Sequence, residues 1–93
     1  MITSFRCPAT AQIHRGEKAP GLPAGIQKVA LRKLQQLDIA KRLDDLRIPP
    51  GNRLEPLKGD RAGQHSIRIN DKYRLCFIWT ERGVESVEIV DYH

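Results

Sequence analysis

Ninety-three residues, 40% hydrophobic and 29% charged, amount to about one small domain, able to bury roughly 60 to 65% of its unfolded surface and too apolar for disorder. Sixteen Lys and Arg against eleven Asp and Glu leave a net charge of +5, which favours encounter with polyanions and makes nucleic acid the first partner class to consider. Cys7 and Cys76 stand alone, without C-x-x-C or histidine spacing, so neither a disulfide framework nor a zinc site is indicated.

In chain order, Ile2 to Cys7 reads as a short strand ended by Pro8, after which Thr10 is expected to cap one or two helical turns that stop at Gly16. Residues 16–25 hold three Gly and two Pro and read as a connector. From Ala24 to Leu37, the positions Ile26, Val29, Ala30, Leu34 and Leu37 follow helical spacing, with Lys28, Arg32 and Lys33 on a basic outer face. Asp38 is expected to cap a shorter helix carrying Ile39, Leu43 and Leu46, which Pro49-Pro50-Gly51-Asn52 ends.

Beyond Asn52 the pattern is strand and turn. Arg53 to Leu57 is short and extended, and Lys58 to Gly63 is a turn-rich loop. His65 to Ile69 and Tyr73 to Trp79 read as strands joined by a hairpin through Asn70-Asp71-Lys72, and Val84 to Val90 as a last strand. Tyr73, Leu75, Phe77 and Trp79 alternate as a core face rather than a base-stacking platform, and Cys76 is expected to be buried. The fold class is therefore α+β, a single domain over residues 1–93: an N-terminal strand and two to three helices on a mainly antiparallel sheet completed by four C-terminal strands. The longest apolar run, Leu75 to Trp79, is far below the ~20 residues of a membrane span. No basic-then-apolar leader opens the chain, so a cytoplasmic location and no membrane partner are expected.

The charge is uneven. Residues 1–50 carry nine basic and four acidic side chains, residues 51–93 seven of each, and six of the latter cations fall within residues 53–74. The basic cluster is thus expected on the first part of the sheet.

The stretch Gly51-Asn52-Arg53-Leu54-Glu55-Pro56-Leu57-Lys58-Gly59-Asp60-Arg61, with His65-Ser66-Ile67-Arg68-Ile69-Asn70, Tyr73-Arg74-Leu75-Cys76-Phe77 and the ending Glu88-Ile89-Val90-Asp91-Tyr92-His93, resembles the HigB branch of the RelE-like toxins. The likeness is specific over residues 46–93 and looser before them. It implies the RelE-like fold and cleavage of message in the decoding site of the 70S ribosome without metal or other cofactor. It also implies a HigA-like antitoxin carrying a helix-turn-helix DNA-binding domain. No helix-turn-helix is read in this chain, so specific DNA binding is expected of the complex and not of this chain alone.

Cutting RNA through its own 2′-hydroxyl needs a base, cations against the phosphorane-like charge, and an acid for the leaving 5′-oxygen. Arg74 and Lys58 are assigned to charge stabilisation, with Arg53, Arg61 and Arg68 expected to hold RNA. His93 is the acid, since imidazole has an unperturbed pKa of about 6.5, and Tyr92 is expected to stack a base or steady the phosphate. Glu55 stands where the familiar HigB pattern has a His. One reading makes it the base; the other pairs it with Arg53 or Arg61 and passes that role to His93 or Asp91. Strict alternation puts Asp91 and His93 on the face of Val87 and Ile89 and Tyr92 on the other, so convergence of all three requires the strand to end or bulge there. His14 and His65 are expected to be packed or solvated.

Two rivals belong to other classes. One is an inhibitor on the same fold without nuclease chemistry, as in ParE-like toxins acting on gyrase, against which the Asp91-Tyr92-His93 ending argues. The other is a non-catalytic ribosome-binding module, which would tolerate loss of Glu55 and His93 alike.

Overall fold

A computed structural model describes residues 1–91. Its elements are α1 (Pro8–His14), α2 (Ala24–Ile39), β1 (Glu55–Pro56), β2 (His65–Arg68), β3 (Tyr73–Thr80) and β4 (Gly83–Asp91), with 3₁₀ turns at Leu43–Arg47, Pro50–Asn52 and Gly59–Arg61. The strands form an antiparallel meander in the order β1-β2-β3-β4.

Strand alternation sorts the sheet into two faces. Ile67 pairs with Leu75, and Leu75 with Ile89. Ile67, Leu75 and Phe77 join Ile13 of α1 and Ile26, Ala30, Leu34 and Leu37 of α2 in one buried core. Tyr73 and Trp79 pack against its margin. The other face carries Glu55 opposite Ser66, Ser66 opposite Cys76, and Cys76 opposite Glu88. Beside that row, Arg68 pairs with Arg74 and Arg74 with Val90. We refer to it as the polar face.

Val84 and Val87 are both fully buried, although residues three apart in a regular strand face opposite ways. A bulge resolves this: Ile78 pairs with Glu85 and Cys76 with Glu88, so Phe77 alone spans two residues of β4, with Ser86 at φ 53°. This bulge lies at Ser86–Val87, upstream of Asp91; the end or bulge expected at Asp91-Tyr92-His93 involves Tyr92 and His93, which fall outside the described residues.

The bulge also explains why the expected strand from Ile2 to Cys7 is not a continuous one. It runs parallel to β4 through two isolated bridges, Ile2 to Val84 and Phe5 to Val87. Thr3 N–H donates to the Val84 carbonyl at 2.8 Å and Arg6 N–H to that of Val87 at 2.9 Å. Between them the Ser86 N–H turns to Ser4 Oγ at 2.8 Å. At Gly83, φ 141°, a Cβ would stand 2.6 Å from the Met1 carbonyl oxygen, so only glycine lets the N-terminal segment lie this close.

Two capping expectations are corrected. Thr10 lies inside α1, which starts at Pro8; its buried hydroxyl accepts the Ile89 N–H at 3.0 Å and pins the helix to β4. Asp38 lies in the last turn of α2 and accepts the Ile2 N–H at 2.7 Å. The short helix expected after it is the 3₁₀ turn Leu43–Arg47, started by Asp45, which accepts the backbone N–H groups of Lys41 and Arg42. Those bonds hold the Asp45 carboxyl below its ordinary range.

The segment leading into β1 is anchored by Asn52, which is fully buried. Its amide donates to the Leu46 carbonyl at 3.1 Å and to Gln36 Oε1 at 3.2 Å, and its oxygen accepts from the Lys33 ammonium of α2. Burial, with Arg32 and Arg68 nearby, pushes the Lys33 ammonium down. Asn52→Ala would leave buried polar groups without partners and is expected to cost about 1 to 3 kcal/mol. Urea unfolding checks this; an unchanged midpoint would show that the anchor is dispensable.

Candidate active site

Arg53 follows Asn52 in the left-handed region, φ 48°. This turn brings its carbonyl to Arg74, whose Nη2 donates to it at 2.8 Å. Arg74 Nε donates to Ser66 Oγ at 2.7 Å, and Nη2 lies 3.4 Å from Glu55 Oε1. The Arg74 side chain is 11% exposed and that of Glu55 44%. A nearly buried guanidinium is thus fixed by β2 and by the turn leading into β1, beside a carboxylate that solvent can reach. Glu55 pairs with Arg74, not with Arg53 or Arg61.

A second cluster continues the polar face. Arg61 Nη1 donates to Glu88 Oε1 at 2.9 Å and to Gln64 Oε1 at 3.1 Å. Arg6 Nε stands 3.9 Å from the same Glu88 oxygen. The Glu88 bond raises the Arg61 pKa further above its ordinary value. Cys76 lies under this row, fully buried, and burial pushes its thiol up. Its burial agrees with expectation, but it occupies the polar face and not the helix-packed core.

The other assigned residues are distributed as follows. Arg68 shares the polar face with Arg74 and pairs with Asp71. Lys58 is exposed ahead of the 3₁₀ turn Gly59–Arg61, and among the described residues its ammonium has no hydrogen-bond or ion-pair partner. The Arg53 side chain is exposed. Asp91 sits opposite Tyr73, on the face away from Arg74, with Lys72 Nζ 3.7 Å from its Oδ2. Tyr92 and His93 lie outside the described residues. The structure therefore brings Glu55, Arg61, Arg68 and Arg74 to one face and does not bring Asp91 to it.

His14 packs on Phe5 with ring centroids 5.4 Å apart and stands 3.7 Å from Asp38. His65 is half-buried and stacks on Phe77 at 6.3 Å. Neither belongs to the Arg74 cluster. Ser66, Gln64 and Glu88 carry no role in the sequence reading, yet they contact its arginines. The signal for Ser66 and Glu88 was the strand register, which pairs both with Cys76 and so sets them on its face.

Among the described residues no group of three or more His, Cys, Asp or Glu side chains is placed to hold a metal ion. None of their helices is long and apolar enough to cross a membrane. A pocket of about 450 Å³ lies at the far end of the sheet, lined by Met1, Ile39, Lys41, Trp79 and Arg82 among others, and none of the described candidate site residues borders it. Chemistry on a long polymer needs no deep pocket, and the Arg74 cluster lies on a face.

A family model described as RelE-like toxin of type II toxin–antitoxin system HigB matches residues 3–93. Toxin HigB-1 of Vibrio cholerae serotype O1 is 42% identical over 94 aligned positions, which span this whole chain and 98% of that protein. Endoribonuclease HigB of Proteus vulgaris is 29% identical over the full length of both. Among solved structures, YafQ from E. coli superposes with a TM-score of 0.60 at 15% identity, over 98% of this chain and 91% of YafQ. The YoeB–YefM complex from Staphylococcus aureus gives 0.59 at 18% identity, over 100% of this chain and 98% of the matched one. At such identities these two structures establish the fold.

Proposed function

The chain belongs to the HigB family of RelE-like toxins of type II toxin–antitoxin systems, and from that premise we propose that it is an endoribonuclease that cuts message in the decoding site of the 70S ribosome. A HigA-like antitoxin with a helix-turn-helix domain silences it, and the site of action is the cytoplasm. One observation carries the reading: a guanidinium held by the Ser66 hydroxyl and the Arg53 carbonyl, 3.4 Å from a solvent-reached carboxylate, on a face that also bears Arg61 and Arg68.

Glu55 takes the proton of the 2′-hydroxyl, and the resulting oxygen attacks the adjacent phosphorus. The bond from phosphorus to the 5′-oxygen breaks, His93 protonates that oxygen, and the products are a 2′,3′-cyclic phosphate and a 5′-hydroxyl end. No metal enters this balance. Arg74 and Lys58 meet the negative charge that grows on the non-bridging oxygens, the first with a planar fork and the second as a compact point charge. Arg53, Arg61 and Arg68 hold the RNA backbone through interactions that weaken as salt rises. Tyr92 steadies a base or the phosphate. Asp91 lies on the opposite face of the strand from Arg74 and is not the base.

Before RNA arrives, Glu55 and Arg74 neutralise one another. An incoming phosphate competes for the guanidinium and leaves the carboxylate poised at the hydroxyl. Expression in a host without the antitoxin, with message ends mapped after induction, tests the reading. Growth arrest with new ends at codon-spaced positions supports it; arrest with intact messages would favour the inhibitor class.

A further inference from the structure

We propose that Ser66 is a positioning residue, whose hydroxyl orients the Arg74 guanidinium for its work on the scissile phosphate. The kinetic part of this inference rests on the nuclease reading above; the structural part does not. Ser66 sits in the middle of β2, fully buried, and pairs across the ladder with Glu55 on one side and Cys76 on the other. A buried hydroxyl in a central strand packs less apolar surface than a Val or Ile would there, and it is tolerated because it is bonded. Its oxygen accepts Arg74 Nε–H at 2.7 Å.

Geometry gives that bond its consequence. Nε is the point where the planar fork joins its flexible stem, so holding it stops rotation of the plane, while the Arg53 carbonyl at 2.8 Å holds Nη2. Two acceptors from two different segments define the plane and leave it 3.4 Å from Glu55. Rate depends steeply on such placement, and loss of alignment costs about ten- to a hundredfold. Ser66 touches no reacting atom in this scheme and acts only through Arg74.

The test has two arms on the full chain, both run on Ser66→Ala and Ser66→Thr after thermal unfolding shows each to be folded. In the first, solvent exchange of the Arg74 Nε–H is followed by ¹⁵N NMR on the isolated protein. Exchange is expected to be slow in the wild type, at least about tenfold faster in Ser66→Ala, and slow again in Ser66→Thr, which restores the hydroxyl. In the second, single-turnover cleavage of a defined message bound in 70S ribosomes is measured. Ser66→Ala is expected to slow the cut about tenfold or more with half-saturation unchanged, and to have less than about a twofold effect when Arg74→Ala is already present. Equal Nε–H exchange in wild type and Ser66→Ala, or an undiminished loss in the Arg74→Ala background, would overturn the proposal. If the wild type does not cut at all, the nuclease reading falls, and the exchange arm alone decides whether Ser66 orients Arg74.

Discussion

Arg74→Ala is expected to slow cleavage of ribosome-bound message by about 10²- to 10³-fold, the loss usual when one preorganised donor to a transition-state charge is removed. The reason is the degree of fixation. A solvated arginine must be ordered and desolvated when the phosphate arrives, whereas Arg74 is already 11% exposed and bonded to Ser66 and to the Arg53 carbonyl. Its charge therefore acts at low cost in reorganisation. Arg74→Lys is expected to recover little, because an ammonium on a thinner stem cannot satisfy both acceptors and face Glu55 as well. Hydrogen bonds to a charged group are worth about 1.5 to 3 kcal/mol each, so stability falls too, and rates must be compared where urea titration shows every variant folded. An Arg74→Ala protein that cuts at the wild-type rate would remove Arg74 from the chemistry.

The largest effect on stability is expected at Phe77. Among the described residues it is the bulkiest fully buried side chain; it lies in β3 between β2 and β4 and spans the bulge at Ser86–Val87. Phe77→Ala removes the ring and leaves a cavity that flanking strands cannot close, at about 3 to 5 kcal/mol. Against total stabilities of about 5 to 15 kcal/mol for domains of this kind, that is enough to unfold a substantial share of the molecules on warming. Urea unfolding measures it, and a loss under about 1 kcal/mol would mean that the site repacks.

Much of the fold is legible along the chain because the patterns that signal it are local. The spacing of Ile26, Ala30, Leu34 and Leu37 marks α2, and the alternation of Tyr73, Leu75, Phe77 and Trp79 marks β3 and its core face. What escapes is what depends on pairing between distant segments. Asp38 has the chemistry of a cap, but its oxygen is taken by the Ile2 N–H from 36 residues away. No local pattern announces the bulge at Ser86, and with it the break in the N-terminal strand.

The site divides the same way. Residue types and family likeness single out Glu55, Arg61, Arg68 and Arg74, which share the polar face, and also Asp91, which alternation carries to the other side. The partner of Glu55 is not legible, because Arg53 and Arg61 are nearer in sequence and only the β1-β2-β3 register selects Arg74. Ser66 is overlooked for the same reason: alone it is a small polar residue in a strand, and its meaning comes from the Nε–H of a residue eight positions on.

The proposed cleavage of ribosome-bound message depends on the Glu55 and Arg74 face together with His93. Primer extension on one message, held in purified 70S ribosomes or free in solution, tests it most directly, with wild type, Glu55→Ala and His93→Ala in parallel. Cuts are expected to be confined to the decoding-site codon, absent from free RNA, and weakened about 10²- to 10⁴-fold in each variant. Ribosome-dependent cuts that persist at full strength in Glu55→Ala would contradict Glu55 as the base. A folded, toxic wild type that leaves the message whole would contradict the nuclease itself.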